Sequence, residues 1–160
     1  MCHAASLRWP FGSKETRISE HRATIVVDVA NVMGSRPDGW WRDRAGAAVR
    51  LHAEIAALAA SGRPVLPGDT APPGDTAPPE WVMVLEGAAR PAAARIEADE
   101  HARVRVVQAR GSGDDEIVAL VRELPGRRFV VTADRELRDR CTAAGATVLG
   151  PAWLLGQLRQ

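Results

Sequence analysis

The chain has 160 residues, enough for one domain with a proper core, and its 21 Lys+Arg against 20 Asp+Glu leave almost no net charge. That balance excludes a global basic field for nucleic acid, so any such binding has to be local. Lys14 is the only lysine, Cys2 and Cys141 are the only cysteines, and the four histidines are scattered, which argues against lysine covalent chemistry, structural zinc, a disulfide scaffold and a histidine triad.

Residues 1–22 are polar and aperiodic and read as a flexible extension to a single domain over 23–160. Residues 24–28, Thr-Ile-Val-Val-Asp, form an apolar run ending in an acid, the pattern of a strand buried on both faces. Residues 29–41 carry Gly34, Pro37 and Gly39 and are expected to form a long loop. From a cap at Asp43, the spacing of Ala47, Ala48, Leu51, Ile55 and Leu58 predicts a helix that Gly62 stops. Pro-Gly-Asp-Thr-Ala-Pro at 67–72 is repeated at 73–78, too short and proline-rich for a solenoid, so 67–79 reads as a linker insertion. A second strand follows at 81–86, a short helix near 90–98, and a half-exposed strand at 103–107 where arginine alternates with valine. Helix is expected at 114–123, strand at 128–132, helix at 135–144 before Gly145, a short strand at 146–149 and a closing helix at 151–158.

This alternation implies a three-layer α/β/α architecture with a mostly parallel five-stranded sheet. The all-apolar first and fourth strands belong in the middle, the third and fifth at the edges, and right-handed crossovers then give the order 3-2-1-4-5. The chain reverses direction of growth between strands one and four, where ligands bind beyond the strands' carboxyl ends. Asp28 ends strand one, Glu86 ends strand two, Asp134 follows strand four, and Asp114 and Asp115 open the helix leading into it. Each acid alone suits a helix cap or a loop bond. Together they would repel one another unless a cation neutralised them, and all-oxygen donors favour a hard ion, Mg²⁺ or Mn²⁺. Such an ion would suit phosphodiester chemistry without a nucleophilic side chain. Gly111-Ser112-Gly113 before the acidic helix has the look of a phosphate-cradling turn.

The segments Val27-Asp28-Val29-Ala30-Asn31-Val32, Leu85-Glu86-Gly87, Gly113-Asp114-Asp115-Glu116-Ile117 and Val131-Thr132-Ala133-Asp134-Arg135-Glu136 occur in an order that resembles the NYN/YacP-like branch of the PIN-domain superfamily. The resemblance covers roughly residues 24–155. It implies a metal-dependent ribonuclease with Asp28, Asp114 and Asp134 catalytic. Asp115 and Glu86 are further metal-ligand candidates, and Asn31, Thr132 and Glu136 support the site. Val29 stands where the family usually has glycine, and Glu86 where the branch often has aspartate.

The loop after Asn31 supplies candidate substrate contacts: Arg36 and Arg42, with Arg44, for phosphates, and Trp40 or Trp41 for stacking an unpaired base. Trp81, Trp153 and Cys141 are expected in the core. Single-stranded RNA is the expected partner and a homodimer is left open. A cytoplasmic, non-membrane protein is expected, because no run of about 18 apolar residues exists and the N-terminus lacks a signal-peptide core. The alternative is a non-catalytic RNA- or nucleotide-binding module of the same fold. A phosphatase or phosphotransfer domain is disfavoured by the lack of a second acid two residues after Asp28 and of a later lysine.

Overall fold

Alternation along the central strands divides the core between two faces of one sheet. The computed structural model describes residues 22–62, 64–69, 77–96 and 103–160. In strand β1 (Ala23–Asp28), Ile25 and Val27 enter one apolar cluster and Val26 the other. Strand β2 (Glu80–Leu85) repeats this with Trp81, Met83 and Leu85 against Val82 and Val84. Strand β4 (Arg127–Val131) does so with Phe129 and Val131 against Val130. Period-two side chains buried on both faces require an unbroken apolar run, which is what these segments carry.

Strand β3 (Val104–Gln108) and strand β5 (Thr147–Leu149) complete a sheet of order β3-β2-β1-β4-β5, with every pair parallel. Both edge strands are only partly buried, as their mixed composition requires. One face is covered by helices α1 (Val29–Gly34), α2 (Arg44–Ser61), α3 (Ala92–Arg95) and α6 (Pro151–Leu158), which contribute Val32, Leu51, Ile55, Ala92 and Leu154 to its cluster. Helices α4 (Gly113–Glu123) and α5 (Arg135–Ala143) cover the other with Ile117, Val121, Leu137 and Cys141. Asp43 caps α2 by accepting the Gly46 N–H at 2.9 Å, and Gly62 ends it in the left-handed region. Trp81 and Cys141 are fully buried and Trp153 packs partly buried against the core.

The expected long loop at 29–41 is corrected. It begins as α1, and Trp40–Arg42 form a 3-10 turn. The Asp28 carboxylate starts α1 by accepting the Asn31 N–H, while Val29, Val32 and Met33 turn one face onto the sheet. The short helix near 90–98 is a 3-10 turn at Gly87–Ala89 followed by α3, its expected end lying at residues 97–98, outside the described residues. The expected extension, except Arg22, and the repeat at 70–76 also fall outside them. Among the described residues, no helix is long and apolar enough to cross a membrane.

Candidate active site

At the crossover point, the carboxyl end of β1 lies beside that of β4, with Val27 paired to Val131. One polar residue follows each member of this pair, Asp28 as the last of β1 and Thr132 just past β4. Asp28 and Thr132 are both buried, and the Thr132 hydroxyl donates to Asp28 Oδ2 at 2.9 Å. Thr132 Oγ1 in turn accepts the Asp134 N–H at 3.1 Å. Asp28 Oδ1 accepts the Asn31 N–H at 3.3 Å, and Asn31 Oδ1 accepts the Ala133 N–H at 2.7 Å. Two turns that leave neighbouring strands are thereby stitched together around one carboxylate.

Glu86 approaches from β2, where its Oε2 accepts the Gly113 N–H at 2.6 Å. A Cβ at position 113 would stand 2.5 Å from that oxygen, so the approach requires glycine. The contact anchors the first turn of α4 beside β2 and leaves Asp114 half-buried at its start. Ser112, rather than either acid, caps this helix by accepting the Asp115 N–H at 3.1 Å. Gly111-Ser112-Gly113 is therefore a helix entry. Its capping signal, a serine three residues before an acid, is readable in the sequence. Asp134 does cap α5, accepting the Leu137 N–H at 2.8 Å through Oδ1.

Electrostatics link the four acids. Burial pushes the Asp28 carboxyl up to about 6, and the charges of Asp114 and Glu86 add to this against the Thr132 and Asn31 hydrogen bonds. Burial also raises Asp114, reinforced by Asp134 and Glu86. Two candidates lie apart from this group. Asp115 is exposed and held below the usual carboxylate range, chiefly by its 2.9 Å bond from Arg140 and then by Ser112. Glu136 is exposed on the first turn of α5.

Among the described residues, no three carboxylates, imidazoles or thiolates are arranged to enclose one ion. The donor chemistry nevertheless fits a hard divalent cation. The donors are carboxylate oxygens alone, and two of them are raised by burial and mutual repulsion, which such a cation relieves. Val29 is fully buried in the core, directed away from solvent, so its bulk is absorbed by packing.

The substrate candidates separate into two kinds. Arg36 is clamped by Glu54 through two bonds of 2.8 and 2.7 Å, and Trp40 packs partly buried on the core with Arg44 over its ring. Both serve the fold. Trp41 is 56% exposed, edge-on to Trp40, with the exposed Arg42 guanidinium 6.0 Å from its ring centre.

Solved structures of one protein are among those that resemble this one. Rae1 (YacP) from Bacillus subtilis superposes with a TM-score of 0.62 at 16% identity, over 85% of this chain and 73% of that one. A mutant of the same protein gives 0.60 at 16% identity, over 86% and 75%. The fold is thus like that of Rae1 (YacP). No protein-family model and no curated protein matches the sequence.

Proposed function

We propose that the chain is a ribonuclease that hydrolyses RNA phosphodiester bonds with Mg²⁺ or Mn²⁺ held by Asp28, Asp114 and Asp134, with Glu86 as a further ligand. The observation that carries this reading is the buried Asp28 at the crossover point, raised to about 6 while sharing its surroundings with Asp114 and Glu86. A fold does not keep such a carboxylate for stability, since a neutral residue there would cost less. The YacP-like fold supports the reading. When bound, the ion supplies phosphoryl polarisation and a water of lowered pKa.

The chain's own groups orient the site. Thr132 and the Asn31 N–H fix the Asp28 carboxylate, and the Asn31 side chain holds the turn that carries Asp134. Trp41 offers a stacking face and Arg42 a phosphate contact, which suits single-stranded RNA. Asp115, engaged by Arg140, is left out of the ligand set in this reading.

A second reading, RNA binding without cleavage, draws on the bonds that Glu86 and Asp134 already make to backbone N–H groups. Cleavage of a single-stranded oligoribonucleotide in Mn²⁺, in Mg²⁺ and in EDTA separates the two. The proposal expects cleavage with metal only, abolished in Asp28→Asn. RNA binding that survives EDTA, with no cleavage in either metal, establishes the second reading instead.

A further inference from the structure

An acidic centre repels the phosphates on either side of the bond it acts on, and a single divalent ion offsets only part of that charge. The site therefore needs a cation at its rim. Arg140, on the last turn of α5, reaches across to the first turn of α4, where its Nη2 meets Asp115 Oδ1 at 2.9 Å. Its charge reaches further than this pair, acting on Asp114 and Glu136 as well. Nε and Nη1 have no hydrogen-bond partner among the described residues, and the side chain is 38% exposed. Arg36, by contrast, is already held bidentately by Glu54.

We infer that Arg140 is a phosphate-positioning residue of this site, held next to Asp114 by Asp115 and presenting the rest of its planar fork to the RNA backbone. Guanidinium geometry suits a phosphate bidentately, and a pair with an exposed carboxylate is weak enough to be exchanged for one. The inference deepens the ribonuclease reading and rests on it. The competing role is a structural tie between α4 and α5.

The test is equilibrium binding of a fluorescent single-stranded oligoribonucleotide over a range of salt concentrations. It uses full-length Asp28→Asn protein as background, so that the probe stays intact. Adding Arg140→Ala should weaken binding by about tenfold to a hundredfold. It should also flatten the slope of log Kd against log salt by about 0.7, one phosphate contact to a single strand. Arg140→Lys should keep the slope with intermediate affinity, and Asp115→Asn, which frees the guanidinium, should tighten binding. A structural tie predicts the reverse pattern: Arg140→Ala and Asp115→Asn lower the melting temperature alike and leave the slope unchanged, which overturns the inference. If Arg140→Ala does not fold, a slope in Arg140→Lys below that of the background protein overturns it. Absence of RNA binding by the background protein, with no cleavage by the wild type in Mn²⁺ or Mg²⁺, overturns the ribonuclease reading together with the inference; the same absence beside a wild type that cleaves overturns the inference alone. Binding with an unchanged slope in both Arg140 variants overturns the inference alone.

Discussion

The Thr132 hydroxyl and the Asp28 carboxylate meet at 2.9 Å across the seam between β1 and β4, joining residues 104 positions apart. Both are buried, so the bond sets the orientation of the carboxylate and limits the cost of burying it. Thr132→Val removes the donor and keeps the shape. The Asp28 pKa should then rise above about 6, because the lost bond is the largest influence holding it down. Stability at neutral pH should fall by about 1–3 kcal/mol. A carboxyl titration by NMR and a denaturant series check the two effects.

Asp28→Asn should stabilise the metal-free protein above pH 6. The folded carboxyl sits at about 6 against an ordinary 3.8, so the folded state binds this proton more tightly than the unfolded state. Its contribution to stability is full below the ordinary value and is lost as pH rises through the folded one. The variant's advantage should therefore reach on the order of 3 kcal/mol at neutral pH and shrink towards pH 4. Denaturation in EDTA at several pH values measures it. An advantage independent of pH contradicts the assignment.

Gly113→Ala should be destabilising although it adds a better helix former. The new Cβ would stand 2.5 Å from Glu86 Oε2 and 2.9 Å from its Cδ, forcing Glu86 off the Gly113 N–H. The flexible end of Glu86 can swing clear, and the lost bond to its charged oxygen, about 1.5–3 kcal/mol, outweighs a propensity gain of about 1 kcal/mol. In a double-mutant cycle with Glu86→Ala the penalty should largely disappear, since the clash needs both side chains.

Arg36→Ala and Trp41→Ala should separate fold from substrate. The Arg36–Glu54 pair is partly exposed, so its loss should cost at most about 1 kcal/mol of stability and leave RNA affinity unchanged. Trp41→Ala should leave stability unchanged and weaken RNA binding by about 1–3 kcal/mol, the worth of one stacked base. Melting curves and fluorescence anisotropy together give both readouts.

Sheet order was legible because it follows from burial. Runs such as Ile25-Val26-Val27 have to be central, and centrality of β1 and β4 places Asp28 beside Thr132. Helix α1 was not legible, since its six residues show only Val29, Val32 and Met33 as an inward face and its first turn depends on the Asp28 side chain. The pairings of Arg36 with Glu54 and of Arg140 with Asp115 depend on which helices pack together, and residue spacing carries no signal for that. Ser112 could have been found, because a serine ahead of three acids is a recognisable start to a helix.

Asp114 separates metal chemistry from helix capping, because Ser112 caps α4 and no hydrogen bond ties the Asp114 carboxylate to the fold among the described residues. The measurement is the single-turnover rate of RNA cleavage in saturating Mn²⁺, wild type beside Asp114→Asn, with melting in EDTA as the control. Asp114→Asn should be at least as stable as the wild type and slower by on the order of a hundredfold or more. A variant that cleaves at the wild-type rate would contradict the metal role of Asp114.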